Sequence, residues 1–358
     1  MTRWETVVAL CQYLRAGLLN GAPPRPAVAI RWERLVEASS HHYVTPALAW
    51  CLRNQTDIPP EFRDYFAAAL AFNRQRNEYL TKHLACIVAA LNAIEIEPVL
   101  LKGAARLIDG IYPVPEVRFL GDIDVLIPAD RFAAAVTALK AIGFEAPAGS
   151  KINPTHPHPL PMLIQRDTGA GVELHVGLAV PPYDAIVSPD WLSEHTRLFP
   201  LQGVRVRLPD ATRSAAHNIV HDQLHHENYR WRRVQLRQLL DLAMIRLRYE
   251  TTIDWAALDY RFCSIGMGQA LATYLELAEL LFGQSMPPLS HAPRAGALAA
   301  FRRSIEWPAI RGSIQLAEIP INKVLALCHK PRRILELLSL RAWMGAFRSA
   351  MSTLDTKW

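Results

Sequence analysis

The sequence predicts an α/β (α+β) fold in which a small mixed β-sheet core lies between an N-terminal and a C-terminal helical region. Three observations predict it. Apolar residues recur at helical spacing in the first part of the chain, at Phe66, Leu70, Leu80, Leu84, Ile87 and Leu91. The texture changes at Glu97, after which short apolar runs bounded by glycine and proline alternate with helical stretches. From about Ala211 the helical pattern returns. These changes divide the chain into a helical region over 1–95, an α/β core over 96–210 and a helical domain over 211–358.

The elements follow in order. Phe62 to Ile94 reads as one long helix, separated from earlier helices by the Pro59-Pro60 pair, and Ala22-Pro23-Pro24-Arg25-Pro26 makes another break. Pro98-Val99-Leu100-Leu101 is a short strand ended by Lys102-Gly103, and Ala104 to Ile111 opens a helix. After a loop with Tyr112, Pro113 and Pro115 comes the strand Asp122-Ile123-Asp124-Val125-Leu126. Asp130 is placed to cap a helix over Arg131 to Ile142, with Gly143 at its C-terminus. Met162 to Gln165 and Val172 to Leu178 read as two strands joined by a turn. Beyond them, Ala211 to Tyr249 is one or two amphipathic helices and Asp254 to Gly283 a further pair.

Composition bounds the chemistry. The chain has 358 residues, 51% hydrophobic and 20% charged, which suits a folded protein with a sizeable core. Its net charge of +6 favours phosphate-bearing partners without singling out nucleic acid. The 5 cysteines are scattered and form no Cys-x-x-Cys, so neither a disulfide framework nor a cysteine zinc site is expected. No secretory signal and no bilayer-spanning apolar stretch is read, and the expected location is cytoplasmic.

The chemistry concentrates in three places. Asp122 and Asp124 alternate with aliphatic residues, so on a strand they share one face while Ile123 and Val125 face a core. Two adjacent carboxylates repel, and a divalent cation between them relieves the repulsion. The expected ion is Mg²⁺, with Mn²⁺ an alternative, because hard ions take oxygen ligands and share them with substrate phosphates. Lys102-Gly103-Ala104 runs from a strand into a helix, where glycine lets backbone approach phosphate. Val172-Glu173-Leu174-His175-Val176 is a second strand on which Glu173 and His175 share a face.

In this order the residues resemble the DNA polymerase β-like nucleotidyltransferase superfamily, and within it a bacterial branch of uncharacterised nucleotidyltransferases. The resemblance rests on Leu101-Lys102-Gly103, Tyr112-Pro113, Arg118, Asp122-Ile123-Asp124-Val125-Leu126 and Glu173-Leu174-His175, and more weakly on His221 and Leu240-Asp241. Ala104 departs from the glycine or serine usual after the first glycine, which removes a hydroxyl contact to phosphate. The resemblance implies transfer of a nucleoside monophosphate from a nucleoside triphosphate to a hydroxyl acceptor, with release of pyrophosphate. It implies that Asp122, Asp124 and Glu173 hold metal and carry catalysis. Lys102, Gly103, Ala104, Arg118 and His175 would then bind the nucleotide. The acceptor is open between a small molecule, a peptide and RNA. Alternatives are a peptide natural-product tailoring enzyme on the same fold, a toxin-like RNA nucleotidyltransferase and a non-catalytic nucleotide-binding protein.

Other features have a functional and a plain reading. His217, His221 and His225 form a stripe four residues apart, suited to zinc or, more simply, to a polar face on a cleft. His156 and His158 sit in a proline-rich loop read as a mobile flap. Tyr229-Arg230-Trp231-Arg232-Arg233, with Arg237, could contact phosphate and base, or form a helix with Trp231 buried. Lys323, Lys330, Arg332, Arg333, Arg341, Arg348 and Lys357 give the C-terminal part a basic character suited to RNA, an acidic partner or a membrane surface.

Overall fold

The computed structural model describes residues 1–24 and 29–307. The basic C-terminal positions named above and Cys328 lie outside the described residues.

The chain opens with helices α1 (Arg3–Leu18), α2 (Trp32–His41), α3 (Thr45–Leu52) and α4 (Pro60–Asn92). A capping box starts α1: Thr2 Oγ1 accepts from Glu5 N, and Glu5 accepts from Thr2 N. Pro60 opens α4 at its first turn, where the missing N–H costs nothing.

The core follows as β1 (Val99–Leu100), α5 (Lys102–Ile108), β2 (Ile123–Leu126), α6 (Phe132–Ala141), β3 (Phe144–Glu145), β4 (Leu163–Gln165) and β5 (Gly171–His175). Then come α7 (Pro189–Glu194), β6 (Thr196–Leu201) and β7 (Val204–Pro209). Asp130 does not cap α6: it lies in a 3₁₀ turn over Ala129–Arg131, and no side chain caps the helix that follows. Gly143 does sit just past the C-cap with φ +89°, as the sequence predicts.

The strands form one 7-stranded mixed sheet in the order β3-β4-β5-β2-β1-β7-β6. β2 is parallel to β5 and antiparallel to β1, and β1 is parallel to β7. The β6–β7 hairpin is an element the sequence reading did not name. It turns through Gln202 (φ +49°) and Gly203 (φ +87°), the left-handed pair that a tight two-residue hairpin needs.

Period two divides the sheet into two faces. Ile123, Val125, Val172 and Leu174 join Leu80, Leu84, Ile87 and Leu91 of α4 in one core. Leu126 joins the other core, made of α1–α3 and the helices that follow the sheet. Asp124 shares the Leu126 face, so the candidate carboxylates look toward the C-terminal helices.

Those helices are α8 (Ala211–Ile219), α9 (Asn228–Trp231), α10 (Leu236–Tyr249), α11 (Trp255–Cys263), α12 (Gly268–Phe282) and α13 (Ala297–Glu306). Asp210 caps α8 by accepting from Arg213 N at 2.8 Å. The stretch from Ala211 to Tyr249 is more broken than its periodicity predicts. A π-helical turn over Val220–His225 follows α8, and Glu227 and Arg232, both at φ +54°, bracket α9. α1 packs against α12 and α13, so the first and last described helices share a core. Among the described residues no helix is long and apolar enough to cross a membrane.

Candidate active site

Asp122 stands at the end of a loop that α4 holds in place. Asn73 Nδ2 donates to the carbonyls of Glu116 at 2.7 Å and Arg118 at 3.2 Å. Asn77, one turn on, donates to those of Pro115 at 2.7 Å and Arg118 at 2.9 Å. Arg76 donates to those of Leu120 at 2.7 Å and Gly121 at 2.8 Å. Both asparagines are almost fully buried, and the loop carbonyls they satisfy would otherwise lose water without compensation. The sequence reading missed this brace. Its signal is a pair of asparagines four residues apart inside an otherwise apolar helical stripe.

β2 and β5 run parallel with Asp124 beside Glu173, so both carboxylates project to one face, and His175 follows two residues on. His175 Nε2 donates to Asp124 Oδ1 at 2.9 Å and lies 3.5 Å from Glu173 Oε2. Lys102 Nζ reaches the same group from α5, 2.7 Å from Asp124 Oδ1 and 3.8 Å from Glu173 Oε2. It does so from a backbone at φ +44°, a conformation that costs a lysine energy and that the surrounding structure must enforce. Ligand atoms of Asp124, Glu173 and His175 lie within 4.8 Å of one another.

The three carboxylates differ in electrostatics. Burial alone would raise the Asp124 pKa, but Lys102 and the hydrogen bond from His175 outweigh it and hold the carboxyl well below its usual value. The hydrogen bond from His175 likewise lowers Glu173. Burial lowers His175, yet its bonds to Asp124 and Glu173 win and raise it overall. Asp122 has no hydrogen bond or ion pair among the described residues. Burial, with the Asp124 and Glu173 charges, pushes it up to about 6. Lys102 and Arg237 offset this only in part, so the site carries one carboxylate without a bonded partner.

Arg118 lines the cleft, but its guanidinium is engaged. Nη2 and Nε donate to Asp241 at 2.7 and 3.2 Å, and Nη1 donates to the Phe119 carbonyl at 2.7 Å. Tyr112 donates to Asp241 Oδ1 at 2.7 Å. This buried triad joins three of the sequence positions that carried the resemblance. Gly103 packs on it: a Cβ there would collide with Arg118 Nη1 and Leu120 Cδ1, which is why glycine occupies that position. Ala104 is fully buried behind it, in the core of the sheet.

The opposite wall is rich in histidine. His158, His221, His225 and His226 line the cleft with His175. The π-helical turn brings His226 to 4.4 Å from His221 between ring centroids, and His225 stacks on His221 at 5.7 Å. Burial lowers His217 to about 3 and His225 to about 4, so these rings are neutral near pH 7. The stripe of His217, His221 and His225 is not among the groups whose ligand atoms converge within 4.8 Å. The proline-rich loop is tied down rather than free, since Val176 N and Gly177 N donate to the Pro157 carbonyl at 2.8 and 3.0 Å.

The structure also brings in a residue that the sequence reading had grouped elsewhere. Arg237 of α10 lines the cleft and lies over the Tyr43 ring at 5.1 Å, and Tyr43 in turn stacks on Phe119 at 5.6 Å. Its guanidinium makes no hydrogen bond or ion pair among the described residues, and its Nε is buried without a partner. Trp231, which one of the two readings of this stretch would bury, is half-buried and donates to Glu227 at 3.0 Å.

A family model described as "Uncharacterised nucleotidyltransferase" matches residues 29–283. A partial structural match is to a crystal structure of an antigenic nucleotidyltransferase-like protein from Paracoccidioides brasiliensis. The two share 14% identity with a TM-score of 0.34, over 58% of this chain and 94% of that one. No curated protein matches. The family model spans most of the chain and every carboxylate of the cleft, and the protein therefore belongs to the uncharacterised nucleotidyltransferase family.

Proposed function

We propose that the protein is a metal-dependent nucleotidyltransferase of the polymerase β-like type. It moves a nucleoside monophosphate from a nucleoside triphosphate to a hydroxyl group on a small molecule, a peptide or RNA. The observation that carries this reading is that Asp122, Asp124 and Glu173 line one cleft, with Asp122 left without a hydrogen bond or ion pair.

The donor set fits a hard divalent cation such as Mg²⁺ or Mn²⁺, since three carboxylates and no sulfur line the cleft, and a bound ion would take over the Asp124 and Glu173 oxygens that now face the Lys102 ammonium. Asp122, Asp124 and Glu173 would hold the ion. When bound, it would supply charge stabilisation for an in-line displacement at phosphorus.

The residues of the chain do the rest. Lys102 and Arg237 offer positive charge to the phosphates, and the buried Nε of Arg237 has no other partner. Arg118 and Asp241 fix the wall on which Gly103 packs. His175 orients the Asp124 and Glu173 oxygens through its hydrogen bonds. Glu173, held ionised, accepts the proton of the acceptor hydroxyl as the new oxygen–phosphorus bond forms and the bond to the pyrophosphate oxygen breaks.

Thermal shift with each nucleoside triphosphate, with and without Mg²⁺, tests this on wild type and Asp122→Asn. Asp122 makes no bonds to lose, so the variant should be as stable as wild type or more so. A metal-dependent shift with at least one nucleotide, lost in the variant, is expected. A shift that survives in Asp122→Asn, or no shift at all, would overturn the assignment.

A further inference from the structure

A second cluster of ligating groups lies outside the cleft, where α11 meets the segment between α12 and α13. Asp259 and Cys263 stand four residues apart on α11 and share a face. His291 comes from that later segment. Cys263 Sγ lies 3.5 Å from Asp259 Oδ1 and 3.3 Å from His291 Nδ1. All three ligand atoms fall within 4.8 Å of one another.

These spacings have a chemical meaning. Around a tetrahedral zinc ion, bonds of about 2.3 Å to sulfur and about 2.0–2.2 Å to nitrogen or oxygen set the donors about 3.5 Å apart. The two Cys263 contacts already match the edges of that tetrahedron. Gly268, at the start of α12, makes the convergence possible, because a Cβ there would stand 2.7 Å from both Cys263 Sγ and His291 Nδ1. Asp259 is oriented from behind. Its Oδ2 accepts from Ser290 N at 2.8 Å and from the Ser290 hydroxyl, which leaves Oδ1 toward the thiol.

A thiol nucleophile is the competing use of a cysteine, a histidine and a carboxylate. It requires the carboxylate behind the imidazole. Here Asp259 contacts the thiol itself at 3.5 Å, so no carboxylate stands behind the imidazole to orient it as a base.

We propose that Asp259, Cys263 and His291 bind a zinc ion, with the fourth position open to solvent. The sulfur ligand separates this site from the all-oxygen donor set of the cleft and selects a softer metal. Binding releases the Cys263 thiol proton to solvent, so affinity rises with pH. The ion ties the segment carrying His291 to α11. Exposed His291 and half-buried Cys263 leave it a way in.

The test uses the full-length, chelator-stripped protein with Co²⁺ as the probe and Zn²⁺ as the competitor. One equivalent of Co²⁺ should produce a thiolate-to-cobalt charge-transfer band, which one equivalent of Zn²⁺ removes. The cleft carboxylates have no sulfur and cannot produce it. Cys263→Ser should lack the band, and His291→Ala should weaken Co²⁺ binding by more than about tenfold, since even partners behind the ligands are worth that much. Zn²⁺ should raise the thermal midpoint of wild type and not of Cys263→Ser. No band in wild type, or an undiminished band in Cys263→Ser with native circular dichroism, would overturn the site.

Discussion

Replacing Asp241 by asparagine tests whether the buried triad beside the cleft holds the fold together. Arg118 is 6% exposed and Asp241 1% exposed, and three hydrogen bonds converge on the carboxylate. Asparagine keeps one acceptor oxygen for Tyr112 but turns an N–H donor toward the guanidinium. The arginine charge then stays buried without its counter-charge, which costs about 3–5 kcal/mol. That is a large part of the roughly 5–15 kcal/mol that stabilises a typical domain. Equilibrium urea unfolding followed by circular dichroism reads the loss. The double variant Arg118→Met/Asp241→Leu removes both charges and should recover most of it. The pH dependence has a definite sign. Burial would raise Asp241, but Arg118 lowers it below its usual value. The stabilisation is therefore complete above about pH 4, the unfolded value, and disappears as pH falls through the lower folded one. A loss below about 1 kcal/mol, the level of an exposed pair, would refute the reasoning. So would a double variant as unstable as the sum of its singles.

Three further outcomes follow from the same geometry. Asp124→Asn should lower the urea midpoint while Asp122→Asn does not, because only Asp124 carries bonds to Lys102 and His175; equal effects would contradict the assigned contacts. Gly103→Ala should cost about 1–3 kcal/mol by overpacking against Arg118 and Leu120, and should weaken nucleotide binding in the same thermal-shift assay. His42 is 6% exposed and burial lowers it to about 3, below its unfolded value of about 6.5. The unfolded chain then binds the extra proton, so stability is lost as pH falls below about 6.5. Wild type should lose on the order of 2 kcal/mol more than His42→Leu between pH 7 and pH 5, and parallel pH profiles would count against it.

Local periodicity made the carboxylate strand legible. Asp122 and Asp124 alternate with Ile123 and Val125, and the structure sends the aliphatic pair into the α4 core as period two requires. Glu173 was found in the same way. The β6–β7 hairpin carried an equally local signal, Gln202-Gly203 between alternating runs, and needed only to be read as a turn. The broken stretch after Ala211 was different. Its residues keep helical spacing through the π-helical turn at Val220–His225, so periodicity could not show where the backbone departs from it. Nor could it show that Asn73 and Asn77 face loop carbonyls some forty positions away, since a helical stripe does not name what it packs on.

The two arginines of the cleft show the limit most clearly. Arg118 stands a few residues before the carboxylate strand and invites assignment to phosphate. Arg237 sits in a basic, aromatic stretch that invites a reading as a solvated helix face. What decides between them is the location of Asp241, which lies 123 residues from Arg118 and only one helical turn from Arg237. The long-range partner pairs directly with Arg118, while Asp241 acts on Arg237 only through space, without a hydrogen bond. A phosphate meeting Arg118 would have to compete with a buried bidentate carboxylate; one meeting Arg237 displaces no hydrogen bond and meets only the Tyr43 ring and the through-space charges of Asp122 and Asp241. Exchanging Arg237 for methionine should accordingly weaken nucleoside triphosphate binding without the loss of stability expected at Arg118. If instead Arg237→Met destabilises the protein and leaves nucleotide affinity intact, the structural and binding roles of the two arginines are reversed.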